Sequence, residues 1–336
     1  MDEYLATLDT ELRNAVVAPE SAYTAYYGMF RYHLGWTDTQ FVETKTNPGK
    51  RIRPLLCLLV CETLSGDWRR AMPAAVAIEL AHNFSLIHDD IEDGSDERRG
   101  RAAVWKVWGL AQGLNAGDGM FVLARLALDQ MMERGYPITK CNAVSRVFDA
   151  ATLALCHGQF LDLCFETRLD VTLDEYMQMV GGKTAALIAA ATRIGAMLAT
   201  DDEKMIAAFA RFGENIGTAF QITDDILGIW GDPHITGKSA ASDILSKKKS
   251  LPAILGLSHP KFGEALRAIY RKPTLDQTDI ARVMVLLDAI GARAYAEQRA
   301  DEYRAAALAA LAETGIANRA MTLLRDAAEL MTRRVR

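Results

Sequence analysis

The stretch MPAAVAIELAHNFSLIHDDIED (72–93) decides the fold class. Pro73 stands where a first-turn proline belongs, an apolar helix-periodic run follows, and the run closes on a cluster of acids. Asp89 and Asp93 are four residues apart, which on a helix puts both carboxylates on one face, a turn apart. A second long run closes the same way, in FQITDDILGIWGD (220–232). Carboxylates are unwelcome at the end of an apolar run, and Asp89, Asp90, Glu92 and Asp93 repel one another unless cations neutralise them. Hard oxygen donors point to Mg²⁺, which takes a few carboxylates, several waters and the oxygens of a phosphorylated substrate. The residues therefore lead to a metal-bridged diphosphate.

Outward from these runs, helix periodicity dominates and no convincing strand alternation is found. The pattern predicts helices over about 2–17, 20–34, 51–65, 72–93, 116–134, 140–167, 172–199, 203–230, 248–258, 277–292, 294–313 and 317–335. No proline occurs between Pro137 and Pro233, consistent with three long central helices, and no Gly/Ser-rich linker or repeat divides the chain. The expectation is one all-α domain over residues 1–336. Two polar, glycine-containing loops follow the acidic segments, GSDERRGRAA (94–103) and GDPHITGKSAASD (231–243).

Bulk properties exclude several classes. A net charge of −5 and a pI near 5.8 argue against general binding of nucleic acid or membrane surfaces. The acidic N-terminus is no signal peptide, and no uncharged apolar run reaches a membrane span; the expected location is cytoplasmic. Five cysteines without a CxxC (Cys57, Cys61, Cys141, Cys156 and Cys164) read as reduced core thiols. A Walker GxxxxGK[ST] is absent. An EF-hand fails too, because Ile91 and Gly100 fall where ligands should be.

Cations alternate with the acids. Lys50, Arg51 and Arg53 form GKRIRP; Arg98, Arg99 and Arg101 follow the first acidic segment; Lys183 opens KTAALI; Lys238 and the run Lys247–Lys249 follow the second. Arginine forks and lysine point charges suit diphosphate oxygens, although the run Lys247–Lys249 taken alone reads as a solvated face. On the second helix Gly217, Gln221, Asp224 and Gly228 share one face, and the glycines are expected to leave room there for something bulky. His88 is placed in helix packing rather than proton transfer.

The set GKRIRP (49–54), HNFSLIHDDIEDGSDERRGR (82–101), NAGD (115–118), GQFLD (158–162), KTAALI (183–188), FQITDDILG (220–228) and GDPHITGKSAASDILSKKKSLP (231–252) resembles the trans-isoprenyl diphosphate synthases, the polyprenyl synthetase family. The resemblance implies an isoprenoid-synthase helical bundle around a central cavity, usually a homodimer. It implies three Mg²⁺ ions with substrate bound, two on Asp89 and Asp93 and a third on Asp224, supported by Asp90 and Asp225. By the same likeness Lys50, Arg53, His82 and Arg99 anchor isopentenyl diphosphate. Arg98, Lys183 and Lys238 grip the allylic diphosphate, while Thr184 and Gln221 set oxygens near the allylic cation. The implied reaction is head-to-tail condensation: the allylic diphosphate departs, the isopentenyl double bond attacks the cation, and released pyrophosphate removes the proton.

The chain departs from the family at Gly228, where the second motif usually carries a third Asp; weaker metal support is expected there. Product length is read from the first helix. Small Ser85 and Ala81 lie one and two turns below Asp89, and an aromatic such as Phe84 five residues before the motif restricts length in relatives. That pattern resembles synthases making geranylgeranyl diphosphate (C20), with farnesyl diphosphate (C15) next. A class I terpene cyclase would not need a second diphosphate anchor. A non-catalytic subunit of a heteromeric synthase would be free to lose the ligands kept here.

Overall fold

The structure is a computed structural model that describes residues 1–44, 46–47, 49–232 and 241–332. Its residues fall into two compact units.

The first unit takes Met1–Phe148 with Arg193–Asp201. It holds α1 (Asp2–Ala15), α2 (Thr24–His33), α3 (Ile52–Ser65), α4 (Met72–Glu92), α5 (Val104–Trp108), α6 (Leu110–Glu133) and the opening of α7 (Ile138–Phe165). Pro73 lies in the first turn of α4, where its missing N–H costs nothing. From Met72 to Ala81 every residue of α4 is buried, because α1, α3 and α6 pack around it. Two glycines let α6 approach: a Cβ at Gly117 would overlap the His88 imidazole, and one at Gly113 would press on Trp105. His88 also lies 3.1 Å from the carbonyl of Leu114 through Nε2, so helix packing is what its contacts show.

The second unit takes Asp149–Thr192 with the described residues of Asp202–Arg336. It holds the rest of α7, α8 (Leu173–Val180), the first half of α9 (Ala186–Ala199), α10 (Glu203–Trp230), α11 (Ser242–Leu245), α12 (Leu251–Leu257), α13 (Gly263–Tyr270), α14 (Gln277–Ala289), α15 (Ala292–Ala312) and α16 (Arg319–Thr332). Thr172 and Glu175 close a capping box on α8, and Asp202 caps α10 through the N–H groups of Lys204 and Met205. α10 runs along α15, and Tyr176, Ile222, Ile226, Leu251, Ile254 and Ala296 share one apolar cluster. A π-helical turn, Gly181–Ala185, joins α8 to α9.

The all-α expectation holds, with three local differences. The loop 94–103 contains a two-stranded antiparallel hairpin, Glu97–Arg98 (β1) with Arg101–Ala102 (β2), turned by Arg99 and Gly100 at positive φ. Strands of two residues are too short for alternation to register. Short helices α5, α11 and α13 fell below the length at which periodicity is readable. The cysteines are all free thiols, but only Cys57, Cys61 and Cys141 are buried; Cys156 and Cys164 lie on an exposed face of α7 beside Leu153 and Phe160. No helix among the described residues is long and apolar enough to cross a membrane.

Candidate active site

Asp89, Asp90 and Glu92 occupy the last turn of α4, with Asp93 as its C-cap. That end carries the partial negative charge of the helix dipole, so the acids sit where they are least stable without cations. The hairpin answers part of this charge. Arg98 Nε donates to Asp90 Oδ1 at 2.7 Å, and its Nη2 donates to Asp89 Oδ2 at 3.2 Å. Asp90 is buried and its Oδ2 has no hydrogen-bond partner among the described residues. Burial pushes its carboxyl up to about 6 despite Arg98. Asp89 is about one-fifth exposed and Asp93 is exposed, so both can meet an incoming ion.

A basic group lies in the same unit. Arg53 Nη1 donates to His82 Nε2 at 3.2 Å, which leaves the imidazole proton on Nδ1. Gly49 faces the Arg99 guanidinium, since a Cβ there would come within 2.8 Å of Nη2. Burial lowers Arg53 to about 10 and also lowers Arg99, while the Glu79 carboxylate works in the opposite sense on both. Burial and the Arg53, Arg99 and Arg98 charges hold His82 well below its ordinary value, hence neutral. Arg51 pairs with Asp9 at 2.6 Å, and Arg101 is tied to the carbonyls of Tyr32 and Thr37. The structure thus brings Arg53, His82 and Arg99 together over buried Glu79, whereas Lys50 stands on the exposed loop before α3.

In the second unit Asp225 is the hub. Its oxygens accept from the Tyr176 hydroxyl at 2.7 Å, the Leu251 N–H at 2.9 Å, Gln221 Nε2 at 3.0 Å and Lys248 Nζ at 3.1 Å. Thr184 donates to Gln221 Oε1 at 2.6 Å, and Lys183 meets Asp162 at 2.5 Å. The π turn sets both residues, and Gly158 of GQFLD permits it: a Cβ at 158 would overlap the Lys183 backbone. Asp224 lies on α10, one residue before this hub, and is half-buried. Lys238 lies outside the described residues.

Two expectations for this unit fail. Lys247–Lys249 is not a solvated run. Lys249 is buried and donates to the carbonyls of Glu166 and Lys247, and Lys248 reaches Asp225 and Asp243. Burial works against the Lys248 charge, yet those carboxylates outweigh it and hold the ammonium well above its ordinary value. The room at Gly217 and Gly228 is filled by the chain itself, by Ala185 and by the Asp243 carboxylate.

Of the residues tied to product length, Ala81 is buried in the core and Ser85 donates to the His82 carbonyl. Phe84 packs tilted on Phe121 at 5.1 Å and edge-on to His88. Sequence reasoning passed over Glu79, gave Asp162 no role within GQFLD, and read Lys248 as solvated. Glu79 could have been noticed as the one acid inside AAVAIELA; Asp162 and Lys248 find their partners only through the fold.

The donor chemistry fits Mg²⁺. Among the described residues no three carboxylate, imidazole or thiol groups converge as a ready-made cage. Mg²⁺ needs none, since one or two carboxylates plus waters and phosphate oxygens complete its octahedron.

The polyprenyl synthetase family model matches residues 36–287. The chain belongs to the polyprenyl synthetase family. It is 40% identical over 308 residues to a (2E,6E)-farnesyl diphosphate synthase of Mycobacterium tuberculosis, covering 90% of this chain and 84% of that protein. It is 38% identical over 287 residues to a geranylgeranyl diphosphate synthase of the same organism, covering 84% and 80%. The crystal structure of a polyprenyl synthetase from Streptomyces coelicolor A3(2) superposes with a TM-score of 0.87 at 35% identity, covering 97% of this chain and 96% of that one. As a member of this family the chain is a trans-prenyltransferase, built as a prenyl synthase helical bundle.

Proposed function

We propose that this polyprenyl synthetase condenses isopentenyl diphosphate head-to-tail with an allylic diphosphate and stops at geranylgeranyl diphosphate. The observation that carries the reading lies within one unit. The end of α4 presents carboxylates suited to metal ions, and Arg53, His82 and Arg99 form a separate group suited to a second diphosphate. Asp89 and Asp93, and on α10 Asp224, would hold Mg²⁺. Bound there, Mg²⁺ neutralises diphosphate oxygens and makes the group a better leaving group.

The chain's own residues do the rest. Arg53, His82 and Arg99 with Lys50 anchor isopentenyl diphosphate, and neutral His82 adds a donor without adding charge. Arg98, Lys183 and Lys238 grip the allylic diphosphate. Thr184 spends its proton on Gln221, so its oxygen lone pairs remain to face a developing cation. Asp225 fixes Gln221 and Lys248 in position. The whole chain 1–336 acts as one catalytic domain, and two copies form a homodimer. The exposed apolar side chains Leu114, Val122 and Leu126, on one face of α6 with Asp118 between the first two, support a second copy as their cover.

Small Ser85 one turn below Asp89 supports growth beyond C15. Identity to the farnesyl diphosphate synthase of Mycobacterium tuberculosis favours C15 as the second reading. The test is incubation of purified full-length protein with Mg²⁺, isopentenyl diphosphate and each allylic primer separately, followed by product sizing. A C20 product is expected, and Ser85→Phe should shorten it. A product stopping at C15 would favour the second reading; cyclised hydrocarbon, or no turnover, would contradict the proposal.

A further inference from the structure

The family's third aspartate of the second motif is Gly228 here, yet the space beside Gly228 is not vacant. A Cβ placed on Gly228 would overlap Cγ and both oxygens of Asp243. Asp224 and residue 228 share one helix face, one turn apart, so a carboxylate lying on Gly228 lies beside Asp224's face of α10. The local fold steers Asp243 there. Ala241 takes a left-handed turn at φ 55, and Asp243 follows in the first turn of α11. Lys248 then braces it, with Nζ 3.5 Å from Asp243 Oδ2 and its backbone N–H donating to the Asp243 carbonyl at 2.9 Å.

We infer that Asp243 supplies the carboxylate that the second acidic motif lacks at position 228. The carboxylate is carried by the turn that folds back over the helix, and the glycine is what admits it. With Asp224 it forms the anionic wall of the second motif, acting on a divalent ion directly or by holding its water. This rests on the reading of Asp224 as a divalent-cation ligand. It reverses the expectation that Gly228 weakens metal support, because a carboxylate borne by the turn stands beside position 228. Gly228 and Asp243 are consequently one unit, and neither is replaceable alone.

The test uses the full-length protein, Mn²⁺ as the probe ion and inorganic pyrophosphate, with free Mn²⁺ read by electron paramagnetic resonance and folding by circular dichroism. Asp243→Asn, nearly the same shape, should raise the half-saturating Mn²⁺ concentration about tenfold, the size typical of losing a supporting carboxylate. Gly228→Asp alone should lower Tm, because two carboxylates then compete for one volume. The double variant Gly228→Asp/Asp243→Gly returns the acid to the helix and should recover most of the lost Mn²⁺ affinity, which a purely structural role for Asp243 would not do. If Asp243→Asn fails to fold, the double variant decides. Unchanged Mn²⁺ affinity in folded Asp243→Asn, or no recovery in the double variant, overturns the inference. Asp224→Asn run alongside separates the two levels: if it too leaves Mn²⁺ binding unchanged, the metal reading of this motif fails; if it weakens binding while Asp243→Asn does not, only the present inference fails.

Discussion

At the end of α4 the second aspartate of the DD pair, Asp90, keeps one buried oxygen without a hydrogen-bond partner among the described residues. At the corresponding place on α10, Asp225 is met by four donors from Tyr176, Gln221, Lys248 and Leu251. The dipeptide is the same, and its surroundings give it different work. Burial raises the Asp90 carboxyl to about 6, although the Arg98 and Arg99 guanidiniums pull it the other way. Asp225 is a fully satisfied knot joining α8, α10 and α12, and a buried acid so satisfied specifies geometry rather than responding to ligands. One motif therefore keeps unused acceptor capacity at its second aspartate, while the other devotes its second aspartate to architecture.

The contrast yields predictions of decreasing size. Asp89→Ala should cut turnover by at least about 10²–10³-fold, since it removes charge stabilisation aimed at the departing diphosphate. Circular dichroism should stay unchanged, and near-normal activity would remove Asp89 from its metal role. Asp225→Asn should cost about 3–5 kcal/mol in denaturant unfolding, because Lys248 and its neighbours lose their buried counter-charge. Asp90→Asn should stay within about 1 kcal/mol, since it also relieves a burial cost. Equal losses from the two Asn variants would erase the contrast.

A smaller effect separates the units by pH. Burial and nearby guanidiniums hold His82 and His33, both in the first unit, well below the ordinary 6.5. The unfolded chain then binds more protons than the folded one below that value. Stability is complete above about pH 6.5 and is lost as the pH falls, by up to about 1.4 kcal/mol per pH unit for each histidine. His82→Gln should flatten that slope in unfolding curves taken between pH 7 and 5. An unaltered slope would mean His82 is not held neutral.

Much of this was legible in the sequence because helices advertise themselves over many residues. The long runs that became α4 and α10 carried their periodicity and their terminal acids in plain order, and α4 its first-turn proline as well. What escaped depends on contacts across sequence distance or on very short elements. The β1–β2 hairpin that aims Arg98 has two residues per strand. Lys248 looks solvated until α12 brings it beside Asp225, and Gly228 looks like a missing ligand until α11 folds Asp243 onto it. Glu79 was the exception, a buried acid in an apolar stretch that its burial cost alone should have flagged.

The central claim is that the acids at the ends of α4 and α10 are occupied by divalent ions when diphosphate is bound. Crystals of the full-length protein soaked with Mn²⁺ and an allylic thiolodiphosphate, which cannot ionise readily, would show anomalous peaks at the ions. Peaks beside Asp89 and Asp93 and beside Asp224, each bridged to diphosphate oxygens, are the expected result. Bound diphosphate with no ion at any of these carboxylates would contradict it.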